Sequence, residues 1–429
     1  MRQTLLKAIL AVFSGAALVI FTPGPAARAA DWYYWTGAGT GGNTATDPAD
    51  PTTQWNNPAN WQEGSPPAPS ANAALSLTNA GYVNAGSAAL AAVVVDGPSA
   101  EGAYHIADGV EVTTAPFYGA FAGYHAQGRV IQTGGSLTVS NYGMLSVGGP
   151  DANARGYYDL QGGFLNVTGA SSEVNIGRQG TGVFTQTGGT FIVQNAMYVG
   201  REFGNGVLNL GGGTLRAGTL DVGQSGASGT LNITDSAARI EASYMIALRQ
   251  NSTLTAVPGS EIHLPGTIFR SYSNDETALS GLENLAVVFD GTRPMLGGSM
   301  EVAGRDLGPI AAGFADNFAL GSLVVGSDVP RSIWLEDVID NGNRSSAEAL
   351  YVHNLTVGAG SKLDLAGLHL YYDGTLVNNG TMVGGTPLFV PEPGTLGMLL
   401  LGSANLLLGR VHRRSCKIQA RLGTRKINL

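Results

Sequence analysis

Acidic side chains within a stretch of recurring short phrases are the first residues that could carry out chemistry. Two carboxylates held on neighbouring repeats could act together on a glycosidic bond, one as acid and the other as base or nucleophile. The acids occupy different positions within their repeats, so they would not stack on one another in successive repeats. Counted back from the residue that ends each repeat, the positions are 18 for Asp159, 4 for Glu173, 2 for Asp221 and 6 for Glu241. This spacing favours no paired-carboxylate site.

A second set of residues in the same stretch is mostly basic. Arg178, Arg201 and Gln224 each directly follow the last residue of a repeat, and Arg249 is displaced by one residue. Such a column could clamp an acidic substrate, but acids nearby could also pair with it. We expect a solvated ladder of ion pairs along one face, with the substrate clamp as the alternative.

An oxygen-rich group further along the chain could bind calcium, because carboxylates and amides supply the oxygens that this ion prefers. The group consists of Asp337, Asp340, Asn341, Asn343 and Glu348. Its spacing does not fit a calcium loop of the Asp-x-Asp-x-Asp-Gly type, so the sequence favours a capped turn instead.

Other catalytic patterns are weak. The histidines show no metal-ligand spacing, and no serine lies in a Gly-x-Ser-x-Gly turn. The single cysteine, Cys416, rules out an intrachain disulfide. We therefore predict no catalytic residue, no metal and no cofactor, and we do not expect an enzyme. The histidines are His105, His125, His263, His353, His369 and His412.

The elements that position these residues belong to a repeated sequence pattern. One phrase contains a Gly-Gly pair between strand-forming residues, and a second, shorter phrase ends at what we call the anchor residue. The anchors are 29, 23, 23 and 24 residues apart, a period typical of a solenoid. The first phrases are 130–139, 158–167, 183–193 and 207–216; the anchors are Gly148, Gly177, Gly200, Gly223 and Ala247.

The residue types indicate strands, since the phrases are rich in Val, Ile, Leu, Thr, Phe and Tyr and are bounded by glycine. The frame of leucine-rich repeats is missing. The sequence therefore predicts an all-β parallel β-helix, or solenoid, with repeats over 70–250, an irregular β region or insertion over 251–332, and C-terminal β coils over 333–388. Glycine pairs and asparagines are expected at its corners, the asparagines being Asn141, Asn166, Asn195, Asn209 and Asn232.

Composition limits the partners. The chain has 429 residues, 63 glycines, 13% charged residues and a net charge of −8. Both ends are basic, so the part between them is more acidic than the net charge indicates. This balance argues against nucleic acid as a partner, because phosphate binding needs a basic face.

The first 29 residues have the three parts of a secretory signal. Arg2 and Lys7 precede an apolar run over 8–21, and Ala27 and Ala29 frame a small-x-small cleavage site. Export follows from this interpretation. An uncleaved anchor helix is the alternative, although the run is short for a membrane span.

Residues 30–69 are rich in tryptophan, with Trp32, Trp35, Trp55 and Trp61. The line from Trp55 to Gly64 resembles the opening of exported bacterial proteins built from autotransporter-associated β-strand repeats, and residues 355–374 resemble their closing coils. We expect an N-terminal cap over the open end of the solenoid. A sugar-stacking platform is the alternative.

The tail, residues 389–429, combines three elements in a fixed order. Pro391, Glu392 and Pro393 precede an apolar segment over 394–409, and a basic cluster follows, formed by Arg410, Arg413 and Arg414. This order resembles the PEP-CTERM sorting tail. The resemblance implies a short transmembrane helix, removal by an exosortase-type protease, and a transient inner-membrane anchor before release. An ordinary tail anchor is the alternative.

Together these features predict an exported structural or adhesive protein of the cell surface or extracellular matrix, with extracellular polysaccharide as a partner implied by the PEP-CTERM resemblance. One alternative is a polysaccharide lyase or glycoside hydrolase on the same fold, with a groove built from residues 251–345. Another is a carbohydrate-binding protein without catalysis.

Overall fold

In a computed structural model, the described residues are 32–35, 55, 58–69, 71–76, 82–84, 87–97, 103–116, 119–265, 268–291, 298–341 and 347–391. All of them belong to one compact unit, Trp32–Leu429. Pro391 is the last residue described. The remaining predicted signal and tail residues lie outside the described residues: Ala27, Ala29, Glu392, Pro393, Arg410, Arg413 and Arg414.

The described residues form β-strands and four short 3-10 helices, and they contain no α-helix. No helix in this part of the chain is long and apolar enough to cross a membrane. The 3-10 helices are Pro58–Asn60, Gln224–Gly226, Ser280–Asn284 and Ala311–Phe314. The strands are β1 Trp32–Trp35, β2 Asn72–Ser76, β3 Tyr82–Asn84, β4 Ala88–Leu90, β5 Ala92–Asp96, β6 Ala103–Ile106, β7 Glu111–Thr114, β8 Gly119–Ala122, β9 Gln127–Gln132, β10 Ser136–Val139, β11 Met144–Val147, β12 Arg155–Leu160, β13 Phe164–Val167, β14 Glu173–Ile176, β15 Thr181–Gln186, β16 Thr190–Val199, β17 Asn205–Leu210, β18 Thr214–Val222, β19 Ser228–Ile233, β20 Arg239–Leu248, β21 Ser252–Ala256, β22 Ser260–His263, β23 Ile268–Ser271, β24 Leu285–Phe289, β25 Gly298–Glu301, β26 Gly304–Arg305, β27 Leu320–Val325, β28 Ser332–Glu336, β29 Glu348–Val357, β30 Lys362–Asp364, β31 His369–Tyr372, β32 Leu376–Asn378, β33 Thr381–Val383 and β34 Leu388–Phe389.

These strands stack in parallel to form three walls of a solenoid of about 11 turns, which confirms the predicted all-β fold and its parallel coil. From β3 to β23, the chain passes through wall 1, wall 2 and wall 3 in turn on every coil. Wall 1 contains β3, β6, β9, β12, β15, β17, β19 and β21. Wall 2 contains β4, β7, β10, β13, β22, β24, β27 and β32, with the first halves of β16, β18 and β20 and the second half of β29. Wall 3 contains β1, β2, β5, β8, β11, β14, β23, β25, β28, β30 and β33, with the second halves of β16, β18 and β20.

The core lies between the walls and runs continuously from coil to coil. Side chains alternate along each strand, and the inward ones stack in register. On wall 1, Tyr158, Phe184, Leu208, Leu231 and Leu254 occupy one such column and are at most 1% exposed. Burying each contributes roughly 1.5–3 kcal/mol of transfer free energy, so the column holds neighbouring coils together.

Anchor glycines make the corners after wall 3 possible. Gly177 has a φ of 69°, a left-handed conformation that side chains with a Cβ avoid. A Cβ at Gly177 would also lie 2.1 Å from the backbone oxygen of Asn205 on the next coil. Gly148, Gly200 and Gly223 have equivalent φ values of 77°, 75° and 79°. The conformation and the close stacking of these corners therefore favour glycine at the same place on successive coils.

The asparagines expected at corners were assigned incorrectly in three of five cases, because Asn166, Asn209 and Asn232 lie within the paired parts of strands. Asn195 lies where β16 passes from wall 2 to wall 3, between the paired residues Val193 and Ala196, and Asn141 lies between β10 and β11, so these two are at corners. Asn232 Nδ2 donates to Asn209 Oδ1 at 2.9 Å, so on wall 1 the amides bond from coil to coil. This pairing depends on register between coils, which a single repeat does not display.

Residues 251–332, whose fold the sequence leaves open, continue wall 2 through β22, β24 and β27 and wall 3 through β23, β25 and the start of β28. Wall 1 ends at β21, where Leu254 N donates to the backbone oxygen of Ala278 beside the 3-10 helix Ser280–Asn284. In the last coils, β31 stacks on the first half of β29 and β34 stacks on β31, while β26 pairs with β29 in the antiparallel direction. The irregular part thus lies within the coil.

Near the N-terminus, three tryptophans pack together and are each 3% exposed. The ring of Trp61 meets those of Trp35 and Trp55 edge to face, with centroids 5.2 Å and 4.7 Å apart. Trp61 Nε1 donates to the backbone oxygen of Trp55 at 2.8 Å. Their ring faces are therefore buried within the protein.

Candidate functional site

The arginine column lies beyond the end of wall 3 and is a ladder of ion pairs. Arg178 Nε donates to Glu202 at 2.9 Å, and Arg201 Nη1 donates to Glu173 at 2.6 Å. Arg249 forms two bonds to one buried carboxylate, that of Asp221, at 2.8 and 2.7 Å. Each cation is engaged by an acid, as the ladder interpretation expects.

The pairing shifts the pKa values of the groups in this ladder. The hydrogen bond from Arg178 lowers the pKa of Glu202, and the hydrogen bond to Asp221 raises the pKa of Arg249. Both shifts favour the charged forms. Arg201 and Arg249 also stack over the rings of Tyr198 and Tyr272. The ladder is therefore a connection between coils and offers a substrate little uncompensated charge.

Three histidines pair with aspartates at separate places in the C-terminal half. His263 Nδ1 lies 2.7 Å from Asp290, and His353 Nδ1 lies 2.8 Å from Asp373. His369 bonds Asp306. Among the residues that the structure describes, none of these histidines belongs to a group of three potential metal ligands.

A cluster of three carboxylates forms where β25, β28 and β29 meet. Glu301 ends β25, Asp337 directly follows β28, and Glu348 begins β29. One carboxylate oxygen from each lies within 4.8 Å of the other two. We call these three residues the acidic cluster. Their oxygens are the kind of ligand that hard cations bind.

Backbone groups hold the two glutamates of the acidic cluster in place. Glu301 Oε1 accepts hydrogen bonds from the backbone N–H groups of Val338 and Ile339, at 2.8 and 2.7 Å. Glu348 Oε1 accepts one from the backbone N–H of Asn341 at 2.8 Å. The chain segment after β28 therefore holds both carboxylates through its backbone N–H groups.

Burial sets the electrostatics of this cluster. Glu301 and Glu348 are each 2% exposed, whereas Asp337 is exposed. Burial raises the pKa of the Glu301 carboxyl to about 7 and that of the Glu348 carboxyl to about 7. Arg270 lies beside the cluster, bonded to Glu336 and 3.9 Å from Glu301 Oε2. A buried carboxylate is costly to ionise unless a cation is close.

The oxygen-rich group of the sequence is thus partly assembled by the structure. Asp337 and Glu348 come together, and the bond between Asn341 and Glu348 is a turn contact of the expected kind. Asn343 lies outside the described residues. Sequence reasoning missed Glu301, because it belongs to an earlier strand and its proximity depends on stacking. Its only sequence signal is an acid at the end of a strand.

An open groove of about 640 Å³ lies at the corner between walls 2 and 3. Tyr142 is 55% exposed there and has a left-handed φ of 61°. Gln194 Oε1 accepts a hydrogen bond from Gly169 N at 2.6 Å, which closes one side. The groove is lined by Ser140, Asn141, Tyr142, Thr168, Gly169, Ala170, Ser171 and Gln194.

The fold places this chain in a broad class, the parallel β-solenoid proteins. Comparison with protein-family models, with curated proteins and with solved structures finds no match to it.

Proposed function

We propose that the protein is an exported structural or adhesive component of the cell surface or extracellular matrix. The observation that carries this proposal is a polar row on the outer face of wall 1. Asn209 donates to Thr185 at 3.4 Å, Asn232 to Asn209 at 2.9 Å, and Thr255 to Asn232 at 2.7 Å. Rows repeated at about 4.8 Å per coil suit many weak contacts with an extended polymer.

The tryptophan cluster supports a capping role for residues 30–69. Stacking on a sugar requires an exposed ring face, whereas Trp35, Trp55 and Trp61 are buried against one another. A cap would also cover the strand edge of the first coil, which could otherwise pair with other chains. We therefore favour the cap over the sugar-stacking platform.

Transport rests on the two chain ends. The signal over 1–29 would direct export, and the PEP-CTERM-like tail over 389–429 would hold the protein in the inner membrane until an exosortase-type protease removes it. Mass spectrometry of the cell-associated protein tests this step. We expect no peptide from 410–429, and replacement of Pro391, Glu392 and Pro393 by alanine should retain those peptides in the membrane fraction. An intact 410–429 segment in the mature wild-type protein would reject processing.

The matrix role is tested with the purified protein and acidic or neutral polysaccharides, with and without calcium chloride. Co-sedimentation should show binding, and assays for reducing ends and unsaturated products should show no turnover. Sustained turnover that one Asp or Glu substitution abolishes would replace the scaffold proposal with the lyase or hydrolase alternative.

The groove supports a second candidate function, carbohydrate binding without catalysis. Its exposed Tyr142 could stack on a sugar, and Asn141 and Gln194 could bond hydroxyl groups. Tyr142→Ala should weaken polysaccharide binding severalfold. Tyr244 is 58% exposed outside this groove, so Tyr244→Ala is a matched control that should bind like wild type. Equal losses in both variants would argue against the groove.

A further inference from the structure

We propose that Glu301, Asp337 and Glu348 bind one calcium ion, which joins neighbouring coils in the C-terminal half of the solenoid. The three residues come from the end of β25, the segment after β28 and the start of β29. β25 and β28 are adjacent strands of wall 3, and Glu301 stands opposite Glu336 in their register. An ion here would therefore connect successive coils.

The first support is a buried oxygen without a hydrogen bond. The Glu301 side chain is fully buried, with 0% exposure, and its Oε2 accepts no hydrogen bond. Its Oε1 is already held by two backbone N–H groups, so the carboxylate cannot turn to satisfy Oε2 without losing those bonds. Leaving such an oxygen unsatisfied costs roughly 1–3 kcal/mol or more. A cation at the cluster would remove that cost.

A second buried oxygen lies close by. Asn341 is 3% exposed, and its Oδ1 accepts no hydrogen bond. Its Nδ2 donates to the backbone oxygens of Ser271 and Ser273, and its backbone N–H holds Glu348. The residue is thus fixed beside the cluster, where an amide oxygen is a common further ligand of calcium.

The ion pair between Glu301 and Arg270 is long. Arg270 Nε lies 3.9 Å from Glu301 Oε2 and makes no hydrogen bond, whereas Arg270 is bonded to Glu336. Glu301 Oε2 therefore still lacks a hydrogen-bond donor.

The ligand chemistry selects calcium among the abundant cations. All the candidate ligands are oxygens, which disfavours zinc and other metals that prefer nitrogen or sulfur. One carboxylate oxygen of each residue lies within 4.8 Å of the other two, so the three can bind the same ion. Magnesium demands a near-ideal octahedral geometry. Calcium accepts the irregular geometry that two strands and a turn provide.

The test uses the purified full-length protein, stripped with a chelator and dialysed. Isothermal titration with calcium chloride should give saturable binding of one ion per chain. Calcium in large excess should raise the thermal unfolding midpoint by a few degrees, because the ion binds the folded state selectively. Magnesium chloride should bind more weakly. Tighter binding of magnesium than of calcium would overturn the assignment of the ion.

Two variants and one control locate the site. Glu301→Gln keeps the shape of the side chain and should weaken calcium binding roughly tenfold or more. Asp337→Asn alters an exposed residue, so it should fold normally and show a similar loss. Asp364→Asn is the control, because that carboxylate is bonded to Lys362 on β30. The proposal fails if the wild-type protein shows no saturable binding, or if Asp337→Asn binds calcium as tightly as Asp364→Asn.

Discussion

Replacing Gly177 by alanine tests whether the stacked corners require glycine. Alanine at a φ of 69° carries a left-handed strain of roughly 1–2 kcal/mol. Its Cβ would also lie 2.1 Å from the Asn205 oxygen and 2.3 Å from the Asn205 carbonyl carbon, both backbone atoms of the next coil. Relieving that contact requires moving a coil, a change that costs about 1–3 kcal/mol in tightly packed regions. We expect a total loss of about 2–5 kcal/mol in the free energy of unfolding.

Gly109 provides the matched control. It has a similar φ of 76°, but a Cβ there would meet no atom within 4 Å. Gly109→Ala should therefore lose only the strain component, about 1–2 kcal/mol. Urea unfolding followed by circular dichroism compares the two variants, and the shared effect of alanine on the unfolded chain cancels. Equal losses would refute the argument that contact between coils excludes a Cβ at the anchor.

Two ion pairs give further predictions. The hydrogen bond to Asp290 raises the pKa of His263 above its ordinary 6.5, so the pair should stabilise the fold fully below pH 6.5 and lose this contribution as pH rises through the folded-state pKa. Thermal unfolding across pH should show this decline in wild type and a smaller one in Asp290→Asn. Asp221→Asn should cost about 2 kcal/mol in urea unfolding, because it leaves Arg249 facing a neutral amide. The same change at the more exposed Asp159 should cost less than about 1 kcal/mol, and a loss as large as at Asp221 would contradict the burial argument.

The strands and corners of the repeats could be predicted because their causes are local. Glycine at an anchor is required by the conformation of its own backbone, and strand residues alternate within a few positions. The period of the anchors then specifies which residues stack. This is why Gly148, Gly177 and Gly200 indicate the coil before any coordinates are known.

The rest depends on contacts between coils, which the sequence of one coil does not contain. Asn209 and Asn232 look like corner residues by type, but their amides bond each other across neighbouring strands. Glu301 and Glu348 approach only because β28 and the turn after it bring their coils together. The 3-10 helix Ser280–Asn284 follows the end of wall 1 without any repeated signal. Because these segments carry no repeated pattern, the sequence predicts neither the continuation of the coil through them nor the acidic cluster.

The register of wall 1 has a consequence for how such a chain can change in length. Gly156, Gly182, Gly206 and Gly229 occupy the same place on four successive coils. Duplication or deletion of the codons for one coil would lengthen or shorten the solenoid by one coil. Every remaining strand would keep its inward and outward faces. A one-codon insertion inside a strand would instead turn the following side chains to the opposite face. Gain or loss of whole coils is therefore compatible with the fold.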